Sequence, residues 1–188
     1  WEEIVKLAQE YEFIRGIDLL YNVGQFRATL CGLEHALGKF IITMDDDLQN
    51  PPEEIPKLLQ AMKENPSMDC IMGKYARKHH SLLRNAGSCF LDKIMNRLYG
   101  KPPNITTSSF RIMTSQFVST LIHYRIASPQ LGPLIVDLSK KISNVTVQHE
   151  VRKYGLSGYG FYQCVKETFR SIINASIAPL RMFSFLGF

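Results

Sequence analysis

No cysteine in this chain stands in a Cys-x-x-Cys pair. Cys31, Cys70, Cys89 and Cys164 sit singly in apolar surroundings. That argues against a zinc site and a disulfide framework, and a reducing compartment fits best. No run of about twenty apolar residues, the length a spanning helix needs, occurs either. The most apolar stretch, Ser171 to Phe188, is interrupted by Pro179 and Arg181. No signal or transit segment is recognisable at the start, where residues 1–11 carry a charged, amphipathic helix pattern. Internal repeats and low-complexity segments are missing as well. Charge is not extreme: 22 basic against 17 acidic residues give +5. Such a mild excess suits phosphates or an anionic membrane surface and makes no case for nucleic acid. The chain opens on Trp1 rather than Met and ends on the apolar Phe188, so both ends read as cuts through a longer protein.

What is present is enough for one sizeable core, with 188 residues of which 45% are apolar. "WEEIVKLAQEY" has helical spacing and "FIRGIDLLYN" reads as a short strand. "GQFRATLCGLEHALG" reads as a helix closed by Gly38. "KFIITM" is a continuous apolar run of the kind a strand covered on both faces carries. "PPEEIPKLLQAMKEN" begins with proline and acids, as a helix first turn does, and stops before Pro66. "MDCIMG" is a second buried strand, and "SLLRNAGSCFLDKIMNRLYG" a long helix. Further on, "PPNITTSSFRIM" is a loop leading to a strand, "SQFVSTLIHYR" and "PLIVDLSKK" are helices, and "ISNVTVQHEV" is a strand. "RKYGLSGYGFY" is a loop, followed by a helix pattern broken at Pro179. Alternating strands and helices predict an α/β domain with a mixed, mostly parallel sheet flanked by helices.

The chemistry concentrates in "FIITMDDDLQNPPEE". In an open α/β sheet, ligands gather at the carboxyl ends of the strands, where Asp45, Asp46 and Asp47 follow a buried run. If the chain stays extended, Asp45 and Asp47 point the same way and Asp46 turns aside. With the amide oxygen of Gln49 they form a hard, all-oxygen set that suits Mg²⁺ or Mn²⁺, which complete their shells with ligand phosphates. The alternative is a solvated acidic turn capping the helix that starts at Pro51. His79 and His80 read as surface residues, and His35 and His149 as partners in local hydrogen bonds.

"DDDLQNPPEEIPKLL" resembles the metal-binding segment of family 2 glycosyltransferases that transfer a sugar to a polyprenyl phosphate, such as dolichyl-phosphate mannose synthases and undecaprenyl-phosphate sugar transferases. "YNVGQFRATLCGLEHALGKFIITM" is similar to the family's "N-x-G" helix and following strand. "LLRNAGSCFLDKIMNRLYG", "SSFRIM", "HEVRKYGLSGY" and "APLRMFSFLG" follow in the family's order. The resemblance implies a GT-A, Rossmann-like catalytic domain over residues 1–162, without the family's first strand and nucleotide-side segment. Residues 163–188 become an amphipathic juxtamembrane helix leading toward membrane segments. A core helix is the alternative for that stretch. By the resemblance, Asp45, Asp47 and Gln49 hold Mg²⁺ or Mn²⁺ on the donor diphosphate, with Asp45 and Asp47 as catalytic residues. Arg84, Ser88 and Arg77 bind the acceptor phosphate, and Arg152, Arg111 and Asp45 the donor. Two departures stand out: Thr106 to Ser109 replace an aspartate and glycine before "FR", and Ser157-Gly158-Tyr159 replaces Ser-Lys-Tyr.

The implied activity is inverting transfer of a sugar from a nucleotide-sugar to a polyprenyl phosphate, for cell-envelope glycan or lipid modification. The catalytic domain would sit on the cytoplasmic face of a membrane, and a homo-oligomer is compatible with the sequence. A phosphate monoester has a second pKa near ~6 and is largely dianionic at neutral pH. The acceptor therefore has less need of a strong base than of arginine forks that gather two anionic phosphates. Three alternatives remain. A family 2 enzyme acting on a glycan hydroxyl would need a further carboxylate base. An aspartyl-nucleophile phosphotransferase would have a threonine where Gln49 stands. A non-catalytic membrane-bound homologue is the third. Should the acceptor assignment hold, Arg84→Ala raises the apparent KM for lipid phosphate more than that for the donor in steady-state assays. Equal effects on the two would remove it.

Overall fold

A computed structural model describes residues 1–75, 101–124 and 130–150. Its elements are α1 (Glu2–Glu10), α2 (Gln25–Glu34), β1 (Phe40–Thr43), a 3₁₀ turn (Pro52–Glu54), α3 (Ile55–Glu64), β2 (Cys70–Tyr75), β3 (Arg111–Thr114), α4 (Ser115–His123), α5 (Leu131–Leu138) and β4 (Ile142–Val147). The strands form one sheet in the order β1-β3-β2-β4. β2 and β4 pair in parallel, whereas β3 runs antiparallel to both β1 and β2. Three of the four strands therefore share a direction, with the reversed β3 inserted among them. The sheet is mixed as expected, but two of its three pairings are antiparallel.

Strand alternation divides the core into two layers. Ile41, Cys70, Met72, Met113 and Ile142 face Leu33 of α2, Phe117, Val118 and Leu121 of α4, and Leu134 and Ile135 of α5. Ile71, Ile112 and Val147, with Phe110 just ahead of β3, face Leu58 and Met62 of α3. Helices thus cover both faces, which is why β1 and β2 read as unbroken apolar runs. Burial also pushes the Cys70 thiol up to about 12, with Arg111 acting to lower it and Asp69 to raise it.

Two expectations change. The strand expected at "FIRGIDLLYN" is absent: the stretch is a turn and irregular chain, with Phe13 and Tyr21 exposed and Leu20 fully so. A strand exists through its ladder, and no described strand lies beside this segment to bond with it. The α2 helix ends at Glu34, with His35 rather than Gly38 at its C-cap. His35 Nδ1 lies 2.9 Å from the Cys31 carbonyl oxygen, a side-chain bond to the last turn that stands in for a glycine cap. The helix expected at 81–100, the loop at 152–162 and the C-terminal helix pattern lie outside the described residues.

Gly73 is tightly packed within the sheet. A Cβ there would lie 2.8 Å from the Val147 methyl, 3.2 Å from the Phe110 ring and 3.3 Å from the Phe110 carbonyl oxygen, and both neighbours are buried. Gly73→Ala should destabilise the domain by about 1–3 kcal/mol, the usual range for overpacking. The urea midpoint of the variant against wild type checks this.

Candidate active site

Because β3 runs against its neighbours, the residues that lead into it lie beside the residues that leave β1. The register Thr43↔Arg111 makes the relation explicit, and parity places Thr43, Asp45 and Arg111 on one face. The Thr43 hydroxyl donates to the Ser109 carbonyl at 2.6 Å, and Arg111 Nε donates to the same oxygen at 3.4 Å. Ser109 Oγ donates to Asp45 Oδ2, while Gln25 Nε2, at the first position of α2, donates to Asp45 Oδ1 at 2.9 Å. Both oxygens of this carboxylate are thereby oriented by neutral donors, and lone pairs remain on each.

Arg111, the side chain expected to meet donor phosphate, is only 6% exposed and lines the cavity beside Asp45. Its Nη1 is buried with no hydrogen-bond partner among the described residues. Burial pulls the guanidinium below the usual arginine range, and Cys70, Asp45 and Tyr75 act to raise it. With the Cys70 thiol pushed up to about 12, Cys70 carries no charge at neutral pH. Asp45 is then the carboxylate that balances the buried cation.

The chain does not stay extended past Asp45. Residues 46–50 form a bend, and Leu48 adopts a left-handed backbone with φ of 59°, uncommon outside glycine and a sign of a tightly determined turn. Asp47 Oδ1 accepts the Gln49 backbone N–H at 3.1 Å, an Asx-type closure. Gln49 Nε2 lies 3.4 Å from His149 Nε2 and donates to the Glu150 carbonyl at 3.5 Å, so the oxygen of the same amide remains as an acceptor. Asp46 is exposed. Asp45 and Asp47 thus hold different hydrogen-bond partners, rather than projecting side by side from a strand.

A further group of contacts fixes this bend. Tyr75 donates from its hydroxyl to Asn50 Oδ1 at 3.1 Å, sits 3.2 Å from Ser108 Oγ, and stacks on His149 at 4.0 Å between ring centroids. The Glu150 N–H donates to the Gln49 carbonyl at 2.9 Å. Asn144 of β4 grips Thr106 from both sides, accepting its N–H at 2.8 Å and donating to its carbonyl at 2.8 Å. Glu54 Oε2 accepts the Gln148 N–H at 3.1 Å, and the same carboxylate takes Lys57 Nζ at 2.6–2.7 Å. Sequence reasoning missed Gln25, Ser109 and Glu54 because each contact joins positions distant in the chain. The hydroxyl run Thr106 to Ser109 was the one available signal.

Asp45, Asp47 and Gln49 offer only oxygen to a ligand, which fits Mg²⁺ or Mn²⁺. No group of three His, Cys, Asp or Glu that could hold a metal occurs among the described residues, so such an ion would rely on the Gln49 amide and on ligand oxygens. A cavity of about 350 Å³ adjoins Asp45, lined in part by Gln25, Phe26, Ser109, Arg111 and Leu131. That is within the ~300–1,000 Å³ usual for small-molecule pockets. Arg77, Arg84, Ser88 and Arg152 lie outside the described residues. No described helix is long and apolar enough to cross a membrane.

Residues 1–122, which include this bend and the lead-in to β3, match the model of glycosyl transferase family 2. The chain belongs to glycosyl transferase family 2. Among its relatives is the undecaprenyl-phosphate 4-deoxy-4-formamido-L-arabinose transferase of Shewanella sediminis (strain HAW-EB3), 32% identical over 180 residues, covering 96% of this chain and 54% of that protein. The proteins of the same description from Salmonella paratyphi B (strain ATCC BAA-1250 / SPB7) and Salmonella newport (strain SL254) are each 30% identical over 187 residues, covering 99% of this chain and 57% of theirs. The chain spans about half the length of these curated relatives. Within this family 2 domain, Glu54 ties the bend to the end of β4.

Burial acts to raise the Glu54 carboxyl, but the Lys57 and Gln148 bonds outweigh it and hold the group below its ordinary 4.5. A depressed folded value means the unfolded chain takes the proton first as pH falls. The stabilisation is therefore complete above about pH 4.5 and is lost as pH drops through the lower folded value. Lys57 is 47% exposed, so its share is small. Glu54→Gln should cost about 1–2 kcal/mol at pH 7, a gap that narrows below pH 4.5 in denaturation curves.

Proposed function

We propose that this protein is an inverting glycosyltransferase that moves a sugar from a nucleotide-sugar to a polyprenyl phosphate, in a membrane-bound setting with its catalytic domain on the cytoplasmic face. The observation that carries the reading is the oriented Asp45 carboxylate at the carboxyl end of β1, followed by Asp47 and Gln49 in a pinned bend. Family membership and the similarity to undecaprenyl-phosphate 4-deoxy-4-formamido-L-arabinose transferases support it.

In this reading Asp45, Asp47 and Gln49 would hold Mg²⁺ or Mn²⁺, and an ion bound there supplies Lewis-acid stabilisation of a leaving diphosphate, worth several kcal/mol. The chain's own part is positional. Gln25 and Ser109 orient Asp45, and the Asx closure orients Asp47 against Gln49. Arg111 contributes a positive field from behind Asp45 rather than a surface fork. A dianionic acceptor phosphate attacks the anomeric carbon without surrendering a proton, so no residue here is required as a strong base. Arg77, Arg84 and Ser88 are the proposed acceptor-phosphate group and Arg152 the donor-side cation. Mild net basicity, +5, suits two anionic substrates and an anionic membrane surface.

The test is to incubate the full-length protein in membranes with radiolabelled nucleotide-sugars and Mg²⁺ or Mn²⁺, then extract lipid. Label should enter the lipid fraction, and Asp47→Ala should reduce it on the order of 10²–10³-fold, as expected for losing several kcal/mol of transition-state stabilisation. Label confined to water-soluble product would overturn the reading.

A further inference from the structure

We infer that Ser109 is a positioning residue whose hydroxyl fixes the Asp45 carboxylate for divalent-cation binding, an inference that rests on the metal-dependent reading above. Three observations converge. Ser109 Oγ donates to Asp45 Oδ2. The Ser109 carbonyl is itself held twice, by the Thr43 hydroxyl at 2.6 Å and by Arg111 Nε at 3.4 Å. The residue that follows, Phe110, is fully buried, its carbonyl accepting the Gly73 N–H at 2.8 Å and its N–H donating to Ser108 Oγ at 3.1 Å. The hydroxyl is therefore presented from backbone anchored at the Ser109 carbonyl and at Phe110.

Gln25 makes the comparable bond to Asp45 Oδ1 from a weaker base. It is exposed, sits at the first turn of α2, and follows Gly24, whose φ is +83°, with a long side chain that must be ordered against rotamer entropy. Ser109 has one side-chain torsion to fix. The burden of holding Asp45 thus falls mainly on the serine. A ligand carboxylate has to be kept within about 0.5 Å of its productive position. Groups that hydrogen-bond to ligating carboxylates typically change metal affinity 10–100-fold when removed.

The decisive comparison is Ser109→Thr against Ser109→Val in the full-length protein, two side chains of nearly equal shape of which one keeps the hydroxyl. Mn²⁺ binding is measured by electron paramagnetic resonance titration, with Asp45→Ala as reference. Donor and lipid KM are read separately. The valine variant should bind Mn²⁺ about tenfold more weakly than the threonine variant, with the donor KM raised and the lipid KM unmoved. Ser109→Val binding as tightly as Ser109→Thr, while Asp45→Ala loses the ion, overturns this inference and leaves the metal reading standing. Asp45→Ala binding Mn²⁺ like wild type overturns both.

Discussion

The carbonyl oxygen of Ser109 receives two donors, the Thr43 hydroxyl and the Arg111 guanidinium, and through them the end of β1 is joined to the start of β3. Remove that junction and Asp45 would be left, among the described residues, with the Gln25 amide alone to hold it. Its existence depends on the reversal of β3, since a parallel strand in the same place would deliver its carboxyl end, not its amino end, to this edge of the sheet. A fold-level fact thus becomes a local chemical one.

Burying an arginine is expensive unless an anion accompanies it, and here the accompanying carboxylate is Asp45, the residue proposed above to bind a ligand. The pairing is indirect, mediated by Ser109 rather than by a guanidinium–carboxylate fork. Asp45 thereby keeps acceptor capacity while the positive charge behind it disfavours its turning away. Cys70, adjacent in the core and uncharged, adds nothing to that balance at neutral pH. The site reads as a compromise in which stability is surrendered at Arg111 Nη1 and orientation is gained at Asp45.

Elements whose identity is written in their own periodicity were legible from the sequence: α1, α3, α4, α5 and the strands at Phe40, Cys70 and Ile142 occur where alternation and capping put them. "FIRGIDLLYN" shows the limit of that method, because β-rich composition states a willingness to pair and says nothing of whether a partner adjoins. The insertion of β3 between β1 and β2 was equally hidden, being a matter of long-range register. At the site, the segment holding Asp45, Asp47 and Gln49 stood out by its residues alone. Its geometry did not: the bend at Leu48 rests on tertiary contacts, and Ser109 meets Asp45 across 64 positions. Arg111 was visible as a charge beside a strand, yet only the register reveals that it faces inward.

Hydrogen bonds join Gln49 to Glu150 and Glu54 to Gln148, and Tyr75 stacks on His149. Surface connections ordinarily drift in length because nothing downstream depends on their count. These two connections, a hundred positions apart, are fastened at several points and must change together. Adding one residue to either would put every fastening out of step, so length variation in this lineage should be found in the other connections, with these two remaining fixed relative to each other.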